Sequence, residues 1–283
     1  WRYTPYCSCS CPVSIKSKNI YMTILHQSPI FGPVKSRRLG ISLGINLMPG
    51  DGKWCSFDCV YCECGLNKDH RPSKPLPTVE EIECKLRERL EAMKECGEDL
   101  NTLTFSGNGE PTMHPKFSEI VDNVLSLRSK YFPMAKVTVL SNSTQIHRKE
   151  VFDALMRVDN AVMKLDTVSE EYIRLVDQPT GHYDIKSIIE NLARMNGHAV
   201  VQTMFMKGNV RDKDGNLVCV DNCKDEYIEP YIDALKRINP RQVMIYTLDR
   251  EWPTKGLEKA DHETMDAIAE KIRKAGFDTS VSY

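Results

Sequence analysis

Residues 41–62 read ISLGINLMPGDGKWCSFDCVYC, an apolar, β-rich run followed at once by a loop with three cysteines. The run 41–47 has the composition of a buried strand, and Met48-Pro49-Gly50 ends it. Cys55, Cys59 and Cys62 then follow in C-x3-C-x2-C spacing, which places three thiols on one short loop at the carboxyl end of a strand.

Outward from this stretch, strand-like runs recur at 101–106, 136–141, 161–165, 199–206 and 242–248. Helical patterns lie between them at 78–96, 116–130, 147–157, 169–177, 184–195, 225–237 and 261–275; the first opens with Thr78 and Glu81 in capping-box spacing. Such alternation predicts an α/β fold with a parallel sheet and right-handed crossovers, either open or wound into a complete or partial barrel. In all these arrangements ligands sit at the carboxyl ends of the strands. The polar segment 207–223 (KGNVRDKDGNLVCVDNC) is expected to be a loop over those ends.

The 283 residues suffice for one domain, expected over 22–283. Residues 1–21 show no apolar periodicity and precede Met22, so they are expected to be a disordered or non-native extension. Cys7, Cys9 and Cys11 fall in it, spaced too tightly to wrap a tetrahedral metal. With 38 basic and 39 acidic residues the net charge is -1, which gives no footprint for a polyanion. There is no apolar run of membrane-spanning length and no export signal, so the expectation is a cytoplasmic chain without a membrane partner. The odd total of 11 cysteines in a chain of this size points to reduced thiols and metal ligation rather than a disulfide framework.

Thiolates are the usual protein ligands of iron–sulfur clusters, and a cubane held by three of them leaves one iron open to an outside ligand. Zinc with Cys64 as fourth ligand is the alternative, although no second cysteine pair lies at the usual distance. The second strand runs into Ser106-Gly107-Asn108-Gly109-Glu110-Pro111. Glycines there let main chain approach a ligand, Glu110 offers a carboxylate, and Asn108 is the non-glycine residue that best tolerates left-handed angles. The third strand ends at Ser141-Asn142-Ser143, which is either a polar ligand shelf or ordinary cap chemistry.

The C-x3-C-x-aromatic-C loop with Tyr61, followed one strand later by Gly-Asn-Gly-Glu-Pro, resembles the radical S-adenosylmethionine (SAM) superfamily over roughly residues 40–250. The phrases FGPVKSRRLGISLGINL and QVMIYTLDR are similar to an uncharacterised bacterial branch related to the tRNA wyosine-base synthesis enzymes. The resemblance implies a (β/α)6 partial TIM barrel with a [4Fe–4S] cluster on Cys55, Cys59 and Cys62. It further implies SAM bound by Tyr61, Gly107, Asn108, Gly109, Glu110, Ser141 and Asn142. The implied reaction is reductive cleavage of SAM to methionine and a 5'-deoxyadenosyl radical that takes hydrogen from an unidentified organic or macromolecular substrate. Its electron would come from an external one-electron donor such as flavodoxin or ferredoxin. Lys164, Asp166, Tyr246 and Arg250, at later strand ends, are expected on the substrate side. Lys35, Arg37 and Arg38 either meet a phosphate or carboxylate or form a solvated turn, and Cys219 and Cys223 are short of a ligand set. A glycyl-radical activase and a non-enzymatic redox or metal-binding module are the alternative functions.

Overall fold

The computed structural model describes residues 23–36, 38–249, 252 and 254–283; the extension 1–21, Arg37 and Arg250 lie outside them. Seven parallel strands follow one another in space: β2 (Gly40–Ile45), β3 (Thr102–Phe105), β4 (Lys136–Ser141), β5 (Asn160–Lys164), β6 (Ala199–Met204), β9 (Gln242–Tyr246) and β11 (Thr279–Ser282). β1 (Ile30–Ser36) pairs antiparallel with β2 at one edge. The first six parallel strands are those expected, and with their crossover helices they form a (β/α)6 partial barrel. β1 and β11 are additions. β1 is interrupted by Gly-Pro and its residues are partly exposed, while β11 is four residues long, so neither carries a strong apolar run.

The helices are α1 (Val79–Glu95), α2 (Phe117–Tyr131), α3 (Lys149–Leu155), α4 (Glu170–Tyr172), α5 (Ile185–Ala193), α6 (Asp225–Ile238) and α7 (His262–Lys274). α1 shows why they form: Thr78 caps it by accepting from the Glu81 amide, and Ile82, Leu86, Leu90 and Met93 make one buried stripe. That stripe packs in the main core with Leu43, Ile45, Leu103 and Phe105, the alternate residues of β2 and β3. The opposite faces of those strands carry Ser42, Thr102 and Thr104. These buried hydroxyls satisfy one another: Ser42 with Thr104 at 2.7 Å and Thr102 with Thr138 at 2.9 Å. α4 continues as a π turn, Ile173–Asp177, which ends with Gln178 in the left-handed conformation.

The segment 207–223 differs from expectation. It is a hairpin of β7 (Met206–Arg211) and β8 (Leu217–Asp221), extended by β10 (Leu257–Lys259) into a three-stranded antiparallel sheet. Alternate residues Met206, Gly208 and Val210 are buried, a two-residue period that the polar residues between them conceal. Met206, Val210, Val220 and Leu257 form a second apolar cluster with Val60 of the cysteine loop and with Tyr172 and Val176. Among the described residues no helix is long and apolar enough to cross a membrane.

Candidate active site

The cysteine loop is a ribbon of main chain held on both sides. On one side Trp54 bridges to Gly109: the Trp54 amide donates to Asn108 O at 2.9 Å and the Glu110 amide to Trp54 O at 3.2 Å. A Cβ at Gly109, whose φ is +141°, would stand 1.9 Å from Trp54 O, so only glycine permits the approach. On the other side the Asp58 amide donates to Asp177 O at 3.1 Å, the Val60 amide to Val176 O at 2.9 Å and the Thr180 amide to Ser56 O at 2.9 Å. Two sequence motifs and the π turn therefore meet in one place.

Asn108 does not take the left-handed angles expected of it; those belong to Gly107 (φ +128°) and Gly109. Its amide instead accepts from the His26 amide at 2.8 Å and donates to His26 O and Pro49 O, both at 2.9 Å. The residue is fully buried and ties the segment before β1 to the end of β2.

Glu110 is 2% exposed. Its Oε1 accepts from the Thr112 amide at 3.1 Å, the Thr112 hydroxyl at 2.5 Å and the Ser141 hydroxyl at 2.9 Å. Oε2 accepts from the Asn142 amide at 2.6 Å. Burial pushes this carboxyl above its usual range against the pull of those donors. The Asn142 side-chain amide reaches Cys55 Sγ at 3.5 Å and Ser56 Oγ at 2.9 Å. Ser141 and Asn142 thus join the carboxylate to the first cysteine.

The three thiols are reduced and partly buried. Burial, with Glu110 adding to it, pushes Cys55 up to about 12, and burial also raises Cys59 well above its ordinary value. Cys62 is drawn down to about 6 by a hydrogen bond from Cys64 and by the charge of Lys53. Cys64 itself lies 3.2 Å from Gly107 O. Among the described residues no three His, Cys, Asp or Glu side chains close on one point as around a single metal ion. A cubane, whose thiolates bind separate irons, does not require that convergence.

Lys53, which the sequence reading passed over, has a side chain only 1% exposed. Its ammonium donates to Gly65 O at 2.7 Å and to Asp58 Oδ1 at 3.2 Å, closing the cysteine loop from within. Burial opposes its charge, yet Cys62, Cys55, Cys59 and Asp58 together hold it above its ordinary value. A buried cation beside three thiols suits a donor set that binds as thiolates. Lys53→Met would leave Gly65 O unpaired and Asp58, which keeps some contact with water and the Asn67 amide at 2.7 Å, without its ion-pair partner. The expected loss is about 3 kcal/mol, or a melting temperature lower by roughly 6–12 °C. Circular dichroism melts of the cluster-free protein measure it, and an unchanged melt would contradict the role.

The Tyr61 hydroxyl bonds to Lys164 and Asp166, and the Lys164 ammonium bonds to Asp166. Asp166 Oδ1 also accepts from the Met204 amide at 2.9 Å. Lys164 lies 2.9 Å from Asp177 Oδ1, an ion pair that no sequence signal announced. Burial pushes the Asp177 carboxyl up to about 7 against the attraction of Lys164. Lys164 and Asp166 are therefore gathered on the aromatic residue of the cysteine loop, while Tyr246 lies under the guanidinium of Arg38. Cys219 is exposed on β8 and Cys223 half-buried just after it.

Residues 51–216, more than half of the chain, match the family model of the radical SAM superfamily. The chain belongs to the radical SAM superfamily. It is a radical SAM enzyme, and the reading as a non-enzymatic metal-binding module is set aside. A UPF0026 protein of Helicobacter pylori is 30% identical over 244 residues, 83% of this chain and 71% of that protein. Among solved structures, a radical SAM methyltransferase from Sphaerobacter thermophilus superposes with a TM-score of 0.61 at 16% identity, over 86% of this chain and 66% of that one. SuiB of Streptococcus suis bound to S-adenosylmethionine superposes with a TM-score of 0.57 at 15% identity, over 82% of this chain and 49% of that one. At these identities both superpositions speak for the fold alone.

Proposed function

We propose that Cys55, Cys59 and Cys62 hold a [4Fe–4S] cluster, and that SAM binds beside it between the cysteine loop and Gly107–Pro111. When bound, this pair supplies reductive cleavage of SAM to methionine and a 5'-deoxyadenosyl radical that takes hydrogen from the substrate. The observation that carries the reading is the main-chain lacing of Trp54 to Asn108 and Glu110, which makes one site of two loops. Membership of the superfamily agrees with it.

The chain's own residues position and shield. Lys53 offsets the thiolate charge from inside the loop. Glu110 Oε2, with a single donor from Asn142, has capacity for a second donor, and we assign it the methionyl ammonium of SAM. Tyr61, its hydroxyl fixed by Lys164 and Asp166, would offer its ring to the adenine of SAM. The β7–β8–β10 sheet, packed on Val60, keeps water from that side of the loop. The electron comes from an external one-electron donor of the flavodoxin or ferredoxin class.

Protein reconstituted anaerobically should carry about four irons. Addition of SAM should change the electron paramagnetic resonance spectrum of the reduced protein, and dithionite should yield 5'-deoxyadenosine. Glu110→Gln should keep the irons but bind SAM about one to two powers of ten more weakly, from loss of a charge-assisted hydrogen bond of about 1.5–3 kcal/mol. SAM affinity equal to that of the natural protein would remove Glu110 from the site.

A further inference from the structure

Arg38 follows β1 and lays its guanidinium over the ring of Tyr246 on β9, with Cζ 4.4 Å from the centroid. The contact joins the hairpin at one edge of the sheet to the strand next to its other edge, across the side where a partial barrel stays open. Arg38 Nη1 is closed off from solvent and has no hydrogen-bond partner. A guanidinium keeps its charge at any ordinary pH and presents its donors in a rigid fork, so an enclosed N–H without an acceptor is costly.

Among the described residues no carboxylate forms an ion pair with it. Asp166 and Asp177 are both committed to Lys164. Burial, with Asp166 adding to it, holds the Tyr246 phenol up to about 12, so its hydroxyl stays protonated and able to donate. Tyr246 packs against the same apolar cluster as Val60 and Tyr61 of the cysteine loop.

We propose that Arg38 and Tyr246 form a binding site for one oxyanion, a carboxylate or phosphate group of a small-molecule substrate, at the open edge of the barrel. Planar guanidinium donors match either group in a forked pair of bonds, and stacking on the tyrosine fixes the plane of the fork. Arg38 is the one guanidinium on Tyr246 among the described residues, and on a chain of net charge -1 that suits one anionic group rather than a polymer of them. The assignment to substrate rests on the radical SAM site proposed above, whereas anion binding by Arg38 does not.

The test titrates the reconstituted protein with inorganic phosphate and, separately, with acetate, following the rise in melting temperature that a ligand of the native state produces. The expected result is saturable stabilisation by at least one of the two, with the preferred probe identifying the group. Arg38→Met should abolish it, and Arg38→Lys, which keeps the charge without the fork, should weaken it at least tenfold. Without added anion, Arg38→Met should melt no lower than the natural protein, because it removes an unsatisfied buried donor. A clear fall in melting temperature would make Arg38 a structural strap and overturn the proposal. So would the absence of stabilisation by either probe, or stabilisation unchanged in Arg38→Met. SAM affinity from equilibrium dialysis separates the two sources of a carboxylate: a tenfold loss in Arg38→Met would assign the guanidinium to SAM itself and overturn the substrate site, whereas unchanged SAM affinity supports it. Iron content and SAM binding of the natural protein report on the radical SAM site independently of these outcomes.

Discussion

Alanine at Cys55, Cys59 or Cys62 is expected to abolish the proposed cluster, leaving colourless protein where the natural chain should be brown and hold about four irons. A cubane on three protein ligands has none to spare, and the loop that presents them is fixed along both sides by main chain, so no neighbouring thiol can swing into a vacated place. Cys84 and Cys96 are exposed on or just after α1 and should be replaceable by alanine without loss of iron. Cys64→Ala should also retain iron, because the Cys64 thiol is turned toward Gly107 O and the neighbouring Cys62. Iron and sulfide analysis with the visible absorption spectrum decides each case. Retention of zinc in place of iron, or loss of iron on changing Cys64, would overturn the assignment.

Gly109→Ala should be nearly as damaging, although glycine supplies no thiolate. Its Cβ would stand 1.9 Å from Trp54 O and 2.5 Å from Trp54 C, both main-chain atoms that no side-chain rotation can move. Overpacking costs about 1–3 kcal/mol and strained backbone of this kind about as much again. A melting temperature lower by on the order of 10 °C is expected, together with loss of most iron and SAM binding. Gly97→Ala is the control: it too has positive φ, at +66°, but a Cβ there meets nothing within 4 Å. It should cost stability modestly and leave the cluster alone. Equal iron content in the two variants would mean that the contact between the loops does not shape the site.

The positions of the six strands were legible because apolar runs, capping residues and glycine turns are local signals that tertiary packing confirms, whereas their winding into a partial barrel rested on the family resemblance. Cys55, Glu110, Ser141 and Asn142 could be read for the same reason: each directly follows, ends or lies within a loop after a buried strand. Lys53 and Asp177 could not. A lysine two residues before a cysteine looks solvated until the loop closes around it, and Asp177 acquires Lys164 as partner only when the π turn is laid against the cysteine loop. The hairpin at 206–221 was concealed by its own exposed face, whose charged and polar residues outweighed the alternation of Met206, Gly208 and Val210. Asn108 was read for its backbone tolerance, while its side chain does the work of a tether between His26 and Pro49.

The bracing of the cysteine loop by residues 176–180 has a consequence in time. During synthesis Cys62 emerges on the order of ten seconds before that second brace does, at ordinary elongation rates. Through this interval the loop lacks one of its walls, and its thiols stand open to oxygen and to any adventitious thiophilic metal. Cluster delivery timed after release of the chain would meet an enclosed, correctly spaced set, whereas earlier encounters would meet a flexible one. Yield of loadable protein should therefore depend on how little oxygen is present while the chain is being made, more than on how carefully the finished protein is handled.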